Sequence, residues 1–334
     1  MTTNTSVVLA RRPDGNPVPE DFSLAETALP EPAEGQALLR NHYISLDAGF
    51  RNWMNEDAGD AVLPAMPLDA PVMGLVMGEV VSSRHPDYQA GDWLMARIAW
   101  QEYSLADDSH FIVKIDPDEP YPMNYYLGVL GDTGLSAYFG MMDIGCPQPG
   151  ETVLVSAAGG AVGSIAGQIA GLHGARTVGI AGGAEKCQRL IDELGYDAAI
   201  NHRQDLGSQL AEHCPDGVDV FFDNVGGPLL EPVLDHIAVG ARIALCGAVA
   251  TYAGDQPGPA NLFQLITREA TMKGFFAHTQ VERYPEARSQ LAAWLEAGKI
   301  KAPEYMLEGI ESVGPAFCDL FAGRNFGKTI VRLG

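Results

Sequence analysis

In the second half of the chain two hydrophobic rhythms alternate. Short, continuous, β-branched or aliphatic runs occupy Thr152 to Ala157, Arg176 to Ile180, Ala198 to Asn201, Val218 to Asp223, Ala241 to Cys246 and Ala270 to Phe276. Runs of that length and continuity are the mark of strands buried on both faces. Between them, apolar residues fall at helical spacing over Ser164 to His173, Ala184 to Leu194 and Leu206 to His213. Another helix is expected from the turn at Asn224–Gly227 to about Ile237, and a last one over Arg283 to Ala297. Repeated strand–helix alternation predicts an α/β domain, a doubly wound open parallel sheet with helices on both faces.

The first half follows a different pattern. Pro13, Pro17, Pro19, Pro30 and Pro32 punctuate the start, and alternating segments follow at Gln36 to Ser45, Gly74 to Ser82, Trp93 to Ile98 and Phe111 to Ile115. Many short strands between Gly/Pro turns predict a compact β-barrel. From Met123 to Asp143 the spacing turns helical, and Gly128, Gly131 and Gly134 interrupt it, so two short helices around a bend are expected. The final apolar stretch, Lys328 to Arg332, reads as a strand returning to the first domain. The division expected is residues 1–125 with 300–334 as the barrel and 126–299 as the nucleotide domain.

Candidate chemistry enters where the first strand of the sheet meets its helix. Ala158-Gly-Gly-Ala-Val-Gly163 lies between a strand and a helix, the setting a dinucleotide fingerprint requires. A side chain at Gly160 would hold the backbone off a pyrophosphate, and one at Gly163 would separate helix from strand. The helix N-terminus then turns its N–H groups and positive dipole end to the phosphates. The second strand ends Ile180-Ala-Gly-Gly183, without the acid that binds an unphosphorylated adenosine ribose. Lys186 follows, then His202 and Arg203. A missing acid with added base favours a 2′-phosphate and so NADPH, provided Glu185 points outward.

Composition narrows the partners. Acidic residues outnumber basic ones 43 to 21, a formal net charge of −22, which argues against nucleic acid and anionic membranes. No apolar run approaches the ~18 residues of a membrane span. The opening MTTNTSVVLARR lacks a signal-peptide layout, and the five cysteines form no C-x-x-C pair. A cytoplasmic protein without a disulfide framework is expected.

Several motifs spread over nearly the whole chain resemble one family. They include Asn41-His-Tyr-Ile-Ser-Leu-Asp47, Trp100-Gln-Glu-Tyr103, Gly134-Leu-Ser-Ala-Tyr-Phe-Gly140, Phe222-Asp-Asn-Val-Gly-Gly227, Cys246-Gly-Ala-Val-Ala-Thr-Tyr252 and Asn325-Phe-Gly-Lys328. Together they resemble the zinc-independent medium-chain dehydrogenase/reductases, specifically the prostaglandin reductase/leukotriene B4 dehydrogenase and curcumin reductase group. The resemblance implies a GroES-like β-barrel domain plus a Rossmann domain, often a homodimer, and NADPH-dependent reduction of the carbon–carbon double bond of α,β-unsaturated ketones and aldehydes. It implies cofactor contacts at Gly160, Ala161, Val162, Gly163, Lys186, His202, Asn224, Cys246, Gly247, Ala248, Tyr252, Phe275, Phe276, Ala277 and Asn325. It also makes Tyr252 the catalytic donor to the substrate carbonyl. Two segments depart from the group's pattern. Leu46-Asp-Ala-Gly-Phe-Arg51 lacks its proline and tyrosine, and Gly131-Asp-Thr-Gly134 carries Asp132 and Thr133 in place of its Met-Pro.

Enone reduction leaves negative charge on the carbonyl oxygen, so a neutral phenol such as Tyr252, with the cofactor ribose, is a fitting donor. A catalytic zinc is not expected: no cysteine precedes Cys146, and His42, His85 and His110 are unclustered. Substrate-pocket candidates are Phe50, Arg51, Trp53, Asp132 and Thr133, with Trp100, Tyr103 and Phe276 as further apolar wall. Asp132 reads either as a helix cap or as a polar recognition group or proton relay. The rivals are a zinc-free quinone reductase or alcohol dehydrogenase on the same cofactor, and a nucleotide-binding protein without turnover.

Overall fold

The structure, a computed structural model, describes residues 3–59, 63–254 and 256–334. It divides into two units: residues 1–127, 305–324 and 329–334 form one, and residues 128–304 with 325–328 form the other. Against the expected division, the second unit begins at Gly128, runs on to Glu304 and takes in the short segment Asn325–Lys328.

The first unit begins with β1 (Thr3–Leu9) paired antiparallel to β2 (Phe22–Ala28). β3 (Ala37–Leu46), β4 (Met73–Ser83), β5 (Trp93–Ala99), β6 (Tyr103–Ala106) and β7 (Ile112–Ile115) follow. Trp100 is fully buried between Phe22 and Phe317, so it belongs to the core and not to a substrate wall. Gly74 makes room for it, since a Cβ there would fall 2.0 Å from the indole nitrogen. Arg51 also departs from expectation. It is 1 % exposed, and its guanidinium donates to the carbonyls of Pro13 and Gly15 and to Asn55 Oδ1. A buried guanidinium with its donors engaged in this way pins the turn that carries it; a substrate contact is not its role.

The second unit opens with α1 (Asp132–Phe139), which runs into a π-helical turn over Gly140–Gly145. The bend before it works because Gly134 lies against Val129: a Cβ there would stand 1.8 Å from the Val129 carbonyl oxygen. Then come β8 (Thr152–Val155), α2 (Gly163–Leu172), β9 (Arg176–Ala181), α3 (Ala184–Leu194), β10 (Ala198–Asn201), α4 (Leu206–His213), β11 (Val218–Asp223), α5 (Leu230–Leu234), β12 (Ile237–Leu245), α6 (Val249–Tyr252), α7 (Phe263–Thr267), β13 (Thr271–Gly274) and α8 (Tyr284–Glu296). All six strands are parallel, in the order β10-β9-β8-β11-β12-β13, the doubly wound arrangement expected. Leu154, Val178, Phe221 and Ile243 are buried at its centre.

Where a helix was expected as far as Ile237, α5 stops at Leu234 and Ile237 already pairs with Val218. Strand β12 then bulges, reaching Arg242 opposite Val220, with Gly240 at φ +78° inside it. That glycine permits the backbone to leave and rejoin one strand, which the sequence pattern renders as two elements.

The tail returns to the first unit. β14 (Glu304–Glu308), α9 (Val313–Ala322) and β15 (Lys328–Arg332) complete it, and the larger sheet reads β14-β15-β3-β4-β5-β7, with β6 on β3. β15 pairs antiparallel with β3 from Thr329 against Leu46 to Arg332 against Tyr43.

Candidate active site

The candidate site lies at the carboxyl ends of β8, β9, β11 and β12, where open α/β sheets bind ligands. After β8 the chain turns through Ala157, at φ +47°, into Gly159-Gly-Ala-Val-Gly163 and α2. A Cβ at Gly163 would stand 2.4 Å from the Ala157 carbonyl oxygen, and one at Gly160 would stand 3.1 Å from it. Bare glycine therefore lets α2 start directly against the strand. Tyr196 locks the same contact by donating its hydroxyl hydrogen to the Gly163 carbonyl at 2.7 Å. Ala161 and Val162 complete the exposed lip of the turn.

A second strip of chain is fastened to this turn. Gly327 N–H donates to the Gly159 carbonyl at 2.8 Å, and Gly160 and Gly327 form an isolated parallel bridge. Gly327 has φ +81°, and a Cβ on it would stand 1.9 Å from the Pro303 carbonyl oxygen, so only glycine fits. Buried Asn325 donates to the Gly327 carbonyl at 3.2 Å. Phe326 lies under Gly159, with the Arg189 guanidinium 3.8 Å above its ring.

At the end of β9 four basic groups crowd together. A Cβ on Gly182 would stand 2.9 Å from His202 Nε2 and 3.5 Å from Arg203 Nε, and one on Gly183 would stand 3.7 Å from an Arg203 terminal nitrogen. Burial, then Arg203 and Arg189, hold the Lys186 ammonium below its usual pKa. Burial and Arg203 likewise lower His202. Glu185 is exposed. Like charges held this close are a pre-formed anion site, because a dianion placed among them removes the repulsion.

At the end of β11 the chain is tied by a polar network. Ser156 hydroxyl donates to Asp223 at 2.7 Å, and the Asn224 amide donates to the Ser156 carbonyl at 2.7 Å. Asp223 accepts the Val225 and Gly226 N–H groups, and burial raises its pKa. The turn after β12 approaches closely: a Cβ on Gly247 would stand 2.9 Å from the Asn224 carbonyl oxygen. Tyr252 ends α6, and its hydroxyl oxygen accepts the Ala248 N–H at 3.1 Å. Burial raises this phenol's pKa, so it is neutral and keeps a hydrogen to donate. Cys246 sits in the same pocket, its thiol pKa raised by burial and by Asp132 and Asp223. Phe275 is turned inward against Phe222 and Gly140, while Phe276 is 46 % exposed and Ala277 is buried.

Asp132 is not the cap of α1; Gly131 is, and Asp132 occupies the first turn. Thr133 hydroxyl donates to the Gly128 carbonyl at 3.1 Å. Phe50 and Trp53 pack ring to ring in the first unit, centroids 5.6 Å apart. Sequence reasoning missed Phe326, Arg189 and Tyr196; a basic residue one helical turn beyond Lys186 was the available signal for Arg189. Among the described residues no group of three or more His, Cys, Asp or Glu side chains is placed to hold a metal ion.

A glycine cradle at a helix N-terminus, a cationic cluster in place of a ribose-binding acid and a half-buried phenol at the sheet edge define a dinucleotide-dependent oxidoreductase. Residues 5–114 match the family described as the N-terminal domain of oxidoreductases, and residues 161–293 the one described as zinc-binding dehydrogenase. The chain is 39 % identical to the NADPH-dependent curcumin reductase of Escherichia coli, over 99 % of this chain and 97 % of that one. It is 36 % identical to the NADP+-dependent 2-alkenal reductase of Nicotiana tabacum, over 98 % and 97 %. The crystal structure of CurA from Vibrio vulnificus in complex with NADPH superposes with a TM-score of 0.90, at 39 % identity and 99 % coverage of both chains. The chain belongs to the medium-chain dehydrogenase/reductases, in the group of the prostaglandin and curcumin reductases, and is an NADP(H)-dependent oxidoreductase.

Proposed function

We propose that this protein reduces the carbon–carbon double bond of α,β-unsaturated ketones and aldehydes. The observation that carries the reading is a neutral, half-buried phenol, Tyr252, its oxygen held by the Ala248 N–H at the edge of the parallel sheet. Relatives named for curcumin and 2-alkenals support the substrate class.

The residues fit NADPH. The glycines at 160 and 163 leave bare backbone for its pyrophosphate, and Lys186 and Arg203 offer charge, with the His202 imidazole a neutral hydrogen-bond donor, for its 2′-phosphate. Asn224, the turn Cys246 to Ala248, Phe275 to Ala277 and Asn325 frame the rest. When bound, the cofactor supplies the hydride that the β-carbon receives. Tyr252 donates to the carbonyl oxygen as it gains negative charge; the Ala248 N–H, by bonding the phenol oxygen, polarises that donor. Phe276, 46 % exposed beside the proposed cofactor positions, would supply apolar wall for the substrate. Carbonyl polarisation by a phenol requires no metal, so turnover survives chelation.

The test is oxidation of NADPH with trans-2-alkenals, quinones and secondary-alcohol/ketone pairs, each with and without EDTA. Rapid oxidation with alkenals, unaffected by EDTA, is expected. Faster turnover of quinones or ketones, zinc-dependent rescue, or binding of NADPH with no oxidation by any acceptor contradicts the reading.

The protein is also read as a cytoplasmic homodimer. β13 is the last strand of its sheet, and Val239, Phe263 and Ile266 beside it are 67 %, 69 % and 70 % exposed. An open edge flanked by exposed apolar side chains is a surface that a second copy covers. Sedimentation equilibrium should give twice the 35.6 kDa chain mass; a stable species at 35.6 kDa contradicts it.

A further inference from the structure

Reduction of an enone needs a second donor that Tyr252 does not provide. Hydride arrives at the β-carbon and the phenol serves the oxygen, but the α-carbon between them must still gain a proton. One residue beyond Phe275 to Ala277, the stretch that frames the proposed cofactor site, stands His278, and a carboxylate at the start of α1 faces it. Asp132 Oδ1 lies 3.6 Å from His278 Nδ1.

We propose that Asp132 and His278 are a proton-delivering dyad: the His278 imidazolium protonates the α-carbon, and the Asp132 carboxylate holds that imidazolium in charge and orientation. This rests on the reading of the site as an enone reductase.

Five observations carry it. The first turn of α1 stabilises Asp132 as an anion, since its N–H groups and dipole are positive there. The His278 ring is stacked on Phe276, centroids 4.6 Å apart and planes within 23°, so its orientation is fixed from a second side. Phe276 and Ala277, the residues just before it, stand at cofactor-contacting positions of the proposed site. Phe275, three residues before His278, packs against Gly140 at the end of the helix that carries Asp132 and against Phe222 near the end of β11, which brings the dyad's two segments to the sheet edge of the proposed cofactor site. The side chains of His278 and Asp132 remain 18 % and 29 % exposed, enough for solvent to return a proton after each turnover.

Neighbouring charges are engaged elsewhere. In the segment of His278, Arg283 pairs with Asp143 at 2.6 Å and with Glu286 at 3.6 Å. On α8, Arg288 donates to the Leu130 carbonyl at 2.8 Å. Asp132, on α1, is the carboxylate that faces the imidazole.

The step balances simply. The α-carbon of the enolate uses its electron pair to form a C–H bond, the imidazolium N–H bond breaks, and neutral imidazole is reprotonated by water. A carboxylate next to an imidazole raises the imidazole's proton affinity, which is the device general-acid histidines use.

The experiment compares wild type, His278→Asn and Asp132→Asn on an α-methyl enone, in D2O, with NADPH consumption, pH profile and α-carbon configuration read together. Wild type should deliver deuterium to one face, giving a single epimer, and kcat should fall on the basic side as the imidazolium is lost. His278→Asn should give both epimers, lose that basic limb and slow kcat by about a hundredfold. Asp132→Asn should keep the limb but move it about one pH unit lower. A single epimer and an unchanged pH profile from His278→Asn overturn the dyad, since NADPH consumption then shows the enone reading intact. No NADPH oxidation by wild type with any enone overturns both.

Discussion

Replacing Tyr252 with Phe is expected to lower kcat on the order of a hundredfold while changing the KM for NADPH only a few-fold. In the proposed reaction the phenol faces a charge that exists only after hydride transfer begins, and removing one such donor costs ~3 kcal/mol of barrier. The ring of a Phe keeps the packing of α6, so the loss reports the hydroxyl. The Ala248 N–H loses its acceptor as well, a smaller effect on the same loop. Steady-state kinetics with a trans-2-alkenal check this; a kcat within threefold of wild type removes Tyr252 from the chemistry.

Replacing Lys186 with Ala is expected to raise the KM for NADPH by roughly 10- to 100-fold, the worth of one charge-assisted contact of ~1.5–3 kcal/mol. NADH, which lacks the 2′-phosphate, should be affected far less, so the preference between the two cofactors narrows. In the absence of ligand the lysine is crowded by Arg203 and Arg189, which lower its pKa. Its loss therefore relieves repulsion in the free protein, and Arg203 still faces the phosphate. The ratio of kcat/KM for the two cofactors measures the effect. An unchanged ratio means that Arg203 and His202 carry the selectivity without it.

The nucleotide unit is legible in the sequence where local pattern and tertiary role agree. Ala184–Leu194, Ala198–Asn201, Leu206–His213 and Val218–Asp223 form as elements with the ends read from hydrophobic period and turn residues alone. Where the two conflict, reading fails. β12 contains Gly240 at positive φ, so one bulged strand reads as a helix end and a shorter strand. α9 carries Gly314 and Pro315 in its first turn, β14 is five residues with a glutamate at each end on a sheet edge, and β1 and β2 lie among prolines. None gives a clean period.

The site divides the same way. Glycines at 160 and 163 announce a turn because nothing larger fits. The approach of His202 and Arg203 depends on Gly182 and Gly183 lying beneath them, while Lys186 reaches over Gly159, a relation across strand ends that spacing does not encode. Arg51, within a departure from the family pattern, and Trp100, one of several scattered aromatics, both read as pocket candidates, whereas both are buried in the framework. His278 gives no signal in sequence, since its partner Asp132 is remote along the chain.

The most direct test of the central claim is the position of the transferred hydrogen. Wild-type enzyme is supplied with NADPH deuterated at the transferable position of the nicotinamide and a trans-2-alkenal, with EDTA present, and the product is examined by NMR. The account predicts a saturated aldehyde carrying deuterium on its β-carbon. An allylic alcohol carrying deuterium on the former carbonyl carbon, or no product until zinc is restored, contradicts it.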